Sequence, residues 1–451
     1  MSNLETTFIT VFSEMLKFVL LYIQIGYIIC LITERKNKMD IKELRRQNEL
    51  IDLFCTLAEI PSPSMGEDNV ATEIISTLLD GGAEVKRDGY SNVIARIPAT
   101  DKTKKPIAFS AHMDVVGDDS PVNIVLTNDE IIETDKKRTL GADDKAGVAA
   151  AISAACKIAK DKNLKHGGLE LIFTRDEESG MSGVKHLNMS EIESEYILVL
   201  DSDSFGEVMI AGAGYTNVLV EVETVKGGHS GNDIADETRI NAAKLLADVV
   251  AALPQGVYRQ NEEGVVTSIN LGVILGGGVD FPLQKMCKLD LKNGEHFDYL
   301  MKNAVTNVIN KKGAAIYSLR SSDSKTEEEL LSKMQKIVGE FNKKYEGLAS
   351  VKLTSAVKTK MFEKNSDSTI PDIAKEIGKE QNFDVKVASF HAGAETHIYA
   401  NEKNKYGNTF KPYLIGVATI KNMHSPDEQL YYKTLIKGEE FIYNMFLKFN
   451  K

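Results

Sequence analysis

The chain has 451 residues, 43% of them hydrophobic and 26% charged, with a net charge of −11. That composition belongs to a folded globular protein too long for one ordinary core, and its acidity argues against a nucleic-acid surface, which needs concentrated Lys and Arg. Cys30, Cys55, Cys156 and Cys287 lie far apart with no CxxC pair, which signals neither a disulfide framework nor a zinc–thiolate site and suits a reducing cytoplasm.

The first element is an apolar run, FVLLYIQIGYIICLIT at 18–33, followed by ERKNK. Residues 9–33 reach the length of a bilayer span, and Arg35, Lys36 and Lys38 would then hold the rest of the chain on the cytoplasmic side. The other reading makes residues 1–38 an extension from an upstream start, with Met39 as the beginning. No basic leader or small-residue cleavage site marks a secretory signal.

From Met39 onward, runs of strand length alternate with helical periods. Helices are expected over 41–58 and 68–81, strands over 91–97 and 106–115, an alanine-rich helix over 144–160, and strands over 169–175 and 196–201. This alternation predicts an α/β sheet with helices on its faces. After residue 212 the texture becomes that of a small α+β unit: strand 216–225, helix 236–253, strand 265–275, a helix near 295–309 and strand 314–320. The α/β pattern then returns with helix 326–345, strand 351–355, helix 368–382, strands 384–389 and 412–417, and a closing helix 429–449. The expected organisation is a larger domain in two parts, 39–212 and 326–451, with a smaller domain inserted at 213–325.

In open α/β sheets ligands gather beyond the carboxyl ends of strands. Four polar stretches occupy such places: AHMD at 111–114, GADDK at 141–145, FTRDEESG at 173–180 and LDSDS at 200–204. They carry His112, Asp114, Asp143, Asp144, Asp176, Glu177, Glu178, Asp201 and Asp203. So many carboxylates at one edge repel one another unless cations lie between them, and an imidazole among them suits Zn²⁺, Mn²⁺ or Co²⁺ better than Mg²⁺. Alone, an HxD pair is commonly a surface hydrogen bond, Asp-Asp before a helix an N-cap, and DEE a solvated turn; the metal reading rests on their combination.

Seven blocks, SAHMDVV, TLGADDKAGVAAA, FTRDEESGMSGV, LDSDSFGEV, VKGGHSGNDI, NVINKKGAAIYSLRSSD and NMHSPDE, succeed one another in this chain. In that order they resemble the dinuclear zinc peptidases that include peptidase T, the aminoacyl-histidine dipeptidases and glutamate-releasing carboxypeptidases. The resemblance implies a catalytic domain with a mixed central sheet and an inserted ferredoxin-like lid or dimerisation domain. It implies a cytoplasmic, homodimeric exopeptidase for di- or tripeptides carrying two divalent ions, zinc first and manganese or cobalt as alternatives. By the same resemblance His112, Asp143 and Asp201 hold one ion and Asp143, Glu178 and His424 the other. Asp114 accepts the ring N–H of His112, and Glu177 is the general base toward a water bridging the ions. His229 steadies the oxyanion, often in the partner subunit's site, and Asn307 and Arg320 contact the substrate. A cis peptide is implied between Asp143 and Asp144.

Two departures stand out. The interval before NVIN is much longer than the family's, with Asn310 where Pro is common, so the lid alignment over 279–310 stays open. FHAGAETHIY at 390–399 resembles the aminoacyl-histidine dipeptidases, whereas LGADDKAG resembles peptidase T. His391, Glu395 and His397 line a substrate pocket or belong to a hydrogen-bonded loop, and His166, His186 and His296 read as structural. Two other functions remain: an N-acyl amino acid deacylase or amidohydrolase with the same centre, and a metal-binding regulatory protein without turnover. Glu177 weighs against the last, since a pure metal binder needs no base beside its ligands.

Overall fold

The computed structural model describes residues 40–128, 130–276 and 305–451. The apolar segment at 9–33 with its expected membrane association, His296, and most of the helix expected near 295–309 lie outside the described residues. The described end of that helix, Val308–Ile309, is a short strand instead. Among the described residues no helix is long and apolar enough to cross a membrane.

The larger layer is an eight-stranded mixed sheet. From edge to edge its strands are Glu84–Arg87, Val93–Ile97, Leu169–Thr174, Ile107–His112, Tyr196–Val199, Lys411–Ile415, Glu207–Gly212 and Lys386–Phe390. Every residue of Ile107–His112, Leu169–Thr174 and Tyr196–Val199 is buried. Both sheet faces are therefore covered, which is why these segments read as unbroken apolar runs. One face packs on helices Glu49–Glu59, Ala142–Lys160 and Tyr432–Phe449. The other is covered by Val184, Leu187, Tyr399 and Phe410. The three strands pair in parallel, so their carboxyl ends share one edge.

A second sheet, of five antiparallel strands, runs Gly256–Asn261, Gly264–Gly276, Lys312–Ser321, Gly214–Thr224, Ala349–Thr359. Helices Ala242–Ala252 and Ser324–Lys344 supply its core from one side. Burial alternates along Gly214–Thr224, as in an antiparallel sheet with one wet face. Setting aside the outer strand Gly256–Asn261, the chain order strand–helix–strand–strand–helix–strand is ferredoxin-like.

This unit runs past residue 325, where the sequence reading ended it. Strand Ala349–Thr359 pairs with Gly214–Thr224, and Leu330, Met334 and Val338 share a core with Val218, Val220 and Leu246. Periodicity announced the helix and the strand, but it carries no information about which sheet a strand joins. The chain leaves the large sheet after Gly212 and returns at Phe362; these two residues exchange main-chain hydrogen bonds of 2.8 and 3.0 Å.

A third sheet escaped the sequence reading because its strands, Thr419–Lys421, Gln429–Tyr431, Ile131–Thr134 and Ile124–Thr127, are too short to show a period. Gln429–Tyr431 lies where the closing helix was expected to begin; the helix starts at Tyr432. The loop between the first two strands carries His424 and Glu428.

Gly438 of the closing helix lies against the Val417 main chain, and a Cβ there would fall 1.7 Å from the Val417 oxygen. Backbone faces backbone, so neither side can swing away. Gly438→Ala is expected to cost about 1–3 kcal/mol or more and to lower Tm by several degrees in thermal unfolding; an unchanged Tm would show that the helix slides freely.

Candidate metal centre

Local backbone aims each side chain of the site. Strand Ile107–His112 ends on His112, in parallel register with Thr174, whose strand runs straight into the turn holding Glu177 and Glu178. Asp201 comes just after the neighbouring strand Tyr196–Val199. Asp143 sits at the start of helix Ala142–Lys160, where Asp143 (φ −84°, ψ 107°) and Asp144 (φ −116°, ψ 35°) are not helical. The peptide between them is cis, the isomer implied by the resemblance. His424 takes a left-handed φ of 58° on its loop.

These elements bring the nominated ligands together. His112 Nε2 is 3.1 Å from Asp143 Oδ1 and 3.6 Å from Asp201 Oδ1. His424 Nε2 is 3.0 Å from both Asp143 Oδ2 and Glu178 Oε1. Ligand atoms of His112, Asp143 and Asp201 lie within 4.8 Å of one another, as do those of Asp143, Glu178 and His424. Asp143 belongs to both groups through different oxygens, the disposition of a bridging carboxylate.

A cation fits this arrangement for a specific reason. His112 Nδ1 lies 2.9 Å from the main-chain oxygen of Asp114, so its proton belongs there. Nε2 then faces two carboxylates, a contact that is favourable only with positive charge there, either a second proton on the ring or a cation between them. Glu178 Oε1 is buried and makes no hydrogen bond, although His424 is close. Two imidazoles with three carboxylates suit a pair of divalent ions of the zinc, manganese or cobalt type.

Asp114 faces His112 Nδ1 twice, with its carboxylate at 3.4 Å and its main-chain oxygen at 2.9 Å. The carboxylate also accepts the amide N–H groups of Glu177 (2.9 Å) and Glu178 (3.1 Å) and the Ser64 hydroxyl (2.7 Å). An HxD spacing cannot say which neighbour the carboxylate turns to, because the competing donors come from distant parts of the chain.

Burial and crowding set the electrostatics. Burial, with Asp201, Glu395 and Glu178 adding like charge, pushes Glu177 up to about 9. Burial and the Asp143 charge lift Asp201 to about 7. Glu178 rises for the same two reasons. Asp143 goes the other way: although burial penalises its charge, hydrogen bonds from His112 and His424 hold it below the usual carboxylate range. The Asp143 hydrogen bond in turn brings His424 to about 9.

The remaining candidates belong to neither ligand group. His229 is exposed, its strand residue opposite Val308, and the Ser230 amide donates to the Asn307 oxygen at 2.9 Å, so His229 and Asn307 share one patch of the small domain. Arg320 sits in strand Lys312–Ser321 with its guanidinium 5.1 Å from the Tyr215 ring. Glu395 is buried and accepts from Ser110 at 3.3 Å, and burial brings it to about 7. His397 is buried, its ring nitrogens 2.9 and 3.2 Å from the oxygens of Ala394 and Ala213. His391 Nε2 meets the Ser268 hydroxyl at 2.6 Å. The FHAGAETHIY segment runs from the end of strand Lys386–Phe390 into the short helix Thr396–Tyr399.

One supporting residue went unseen in the sequence. Glu428 is buried and accepts the amides of Gly141 (2.7 Å) and Asp143 (3.2 Å) as well as the Thr139 hydroxyl, pinning the turn that presents Asp143. Its only signal was its place at the end of NMHSPDE.

With ions removed by a chelator, Glu177, Asp201 and His424 all hold a proton more tightly folded than unfolded: about 9 against 4.5, about 7 against 3.8, and about 9 against 6.5. Their contributions are complete below the unfolded values and are lost as pH rises through the folded ones. The Tm of chelated protein is expected to fall from about pH 5 to pH 9, and added divalent ions to restore it most at the alkaline end. A Tm that stays flat over this range would contradict the crowding described above.

The family model described as Peptidase family M20/M25/M40 matches residues 108–448. The cytosol non-specific dipeptidase of Escherichia coli (strain K12) is 32% identical over 230 residues, covering 45% of this chain and 46% of that protein. Peptidase T of Brevibacillus brevis is 29% identical over 274 residues, covering 51% of this chain and 66% of that protein. The matches span less than two thirds of the length of these curated relatives. Among solved structures, aminopeptidase PepT from Bacillus cereus ATCC 10987 shares the fold with a TM-score of 0.71 at 22% identity, over 89% of this chain and 98% of that one. The family match takes in most of the chain, including every strand end that carries a nominated ligand, and the chain belongs to Peptidase family M20/M25/M40.

Proposed function

We propose that the protein is a two-metal exopeptidase that hydrolyses di- or tripeptides with Glu177 as general base. One observation carries this reading: beside the two ligand groups stands a further half-buried carboxylate, Glu177, that belongs to neither. His112, Asp143 and Asp201 would hold one ion and Asp143, Glu178 and His424 the other. Bound there, zinc, manganese or cobalt ions would lower the pKa of a water and polarise the scissile carbonyl.

Glu177 takes a proton from the attacking water as its oxygen bonds to the carbonyl carbon. It returns that proton to the amine nitrogen as the C–N bond breaks, so the carboxylate is regenerated. His229 Nδ1 accepts the amides of Gly231 (3.2 Å) and Asn232 (3.3 Å), so the neutral ring carries its proton on Nε2, a donor suited to a developing oxyanion. Its exposure supports a role in the partner subunit's site, hence a homodimer. Arg320 would meet a substrate carboxylate and Asn307 the peptide main chain. The names of the dipeptidase and peptidase T relatives support small peptides as substrates, and the former supports a cytosolic setting.

A deacylase would use the same centre, so substrates decide. Assayed with zinc, manganese and cobalt, the protein is expected to cleave di- or tripeptides bearing a free amino group. Turnover confined to N-acyl amino acids would replace the exopeptidase reading, and turnover of neither would favour a binding protein. Glu177→Gln should keep both ions while kcat falls by about 10²–10⁴-fold; unchanged kcat removes Glu177 from its role. Asp143→Ala should lose both ions by elemental analysis, and retention of one tight ion would show that Asp143 does not bridge.

A further inference from the structure

The turn that presents Glu177 and Glu178 is held in an unusual way. Four successive amide N–H groups each donate to a buried side chain: Arg175 to Asn92 (3.2 Å), Asp176 to Glu67 (3.0 Å), and Glu177 and Glu178 to the two oxygens of Asp114 (2.9 and 3.1 Å). Asn92, Glu67 and Asp114 are 0%, 1% and 0% exposed. Between them Asp176 adopts a left-handed φ of 59°, which a non-glycine residue seldom takes on local preference. The turn is shaped from outside.

Glu67 is the distant member of this set. Its Oε1 accepts the amides of Met65 (3.1 Å) and Asp176, and its Oε2 lies 2.8 Å from Arg175 Nη2. It therefore grips both residues that lead into the Glu177–Glu178 pair. Ligand atoms of Glu67, Asp114 and Asp176 lie within 4.8 Å of one another. This second acidic cluster is answered by the Arg175 guanidinium, main-chain amides and the hydroxyls of Ser64 and Ser179 (2.7 and 3.2 Å). Its negative charge is already spent on orienting backbone.

We propose that Glu67 is a positioning residue: by holding the Asp176 amide and the Arg175 guanidinium, it sets the direction in which Glu178 turns to an ion and Glu177 to water. The kinetic part rests on the peptidase reading, whereas the ion-binding part does not. A side chain that merely supported the fold would lower stability without choosing between the two ions. Apart from the nearby Met65 amide, the Glu67 carboxylate reaches the turn carrying Glu178, and among the described residues none of its hydrogen bonds or ion pairs involves His112 or Asp201. Its loss falls on one ion.

The test titrates cobalt into chelated full-length protein, monitored by absorption, alongside Tm, kcat and KM. Glu67→Ala is expected to weaken by about 10–100-fold the ion that His424→Ala also loses, and to lower kcat similarly, the usual range for supporting residues of metal sites. The other ion and KM should stay within a few-fold. Glu67→Gln, which keeps an amide acceptor but not the charge facing Arg175, should fall between Glu67→Ala and the parent. Glu170→Gln is the control: Glu170 is also buried and takes the Glu193 and Ser194 amides (3.0 and 2.8 Å), so its loss should lower Tm and spare both ions. Unchanged cobalt binding in folded Glu67→Ala, or equal weakening of both ions in step with Tm, overturns the proposal. If Glu67→Ala does not fold, Glu67→Gln with parental cobalt affinity overturns it as well. Selective loss of one ion in a protein that cleaves no peptide would uphold the positioning role and sink the peptidase reading instead.

Discussion

Negative charge brought out of water at one sheet edge governs this molecule. Asp143, Asp201, Glu177 and Glu178 converge beyond three parallel strands, and burial raises all but Asp143 above the ordinary carboxylate range. Like charges at this density persist in a folded chain only by sharing protons or cations. Two imidazoles reach the cluster, His112 from a strand end and His424 from a hairpin loop, and both meet Asp143. The shared carboxylate makes the two halves one electrostatic unit.

The buried carboxylates divide into two kinds by what faces them. Glu67, Asp114 and Glu428 accept main-chain amides, so their charge is compensated by fixed dipoles and each holds a turn in place. Asp144 does likewise with the Gly147 amide at 3.0 Å. Asp143, Asp201 and Glu178 face imidazoles and one another. Backbone donors make the first kind scaffolding, although one oxygen each of Glu67 and Asp144 accepts no hydrogen bond, and the second kind is left to bind what comes from outside.

The smaller domain is tied to the large sheet at two places. Gly212 and Phe362 pair where the chain crosses over and back. Beyond them, the Ser389 amide donates to the Glu263 oxygen at 2.8 Å and Lys364 pairs with the Glu263 carboxylate, so the strand Gly264–Gly276 leans on Lys386–Phe390. That contact carries Arg320 toward His391 and His397, and its charge adds to burial in opposing their protonation. The position of Arg320 is thus set by a domain junction.

Local sequence determined which segments end at the site. Buried parallel strands must be apolar throughout, so the first polar residues after them, His112, Asp201 and the Glu177–Glu178 pair, announce the edge without any partner being known. Asp143 was legible for the same reason, lying just ahead of an alanine-rich helix whose small residues let it pack closely. Tertiary structure alone decided the rest. Periodicity tells which face of a segment is buried and is silent about what it is buried against, so the strand Ala349–Thr359 was read into the wrong sheet. Besides facing His112, Asp114 accepts the amides of Glu177 and Glu178, which lie 63 and 64 residues away in sequence. Glu428 found the Gly141 amide across 287 residues, and Glu67 the Asp176 amide across 109. A hydrogen bond is set by the meeting of two particular atoms, and that meeting exists only once the strands between them have chosen their neighbours.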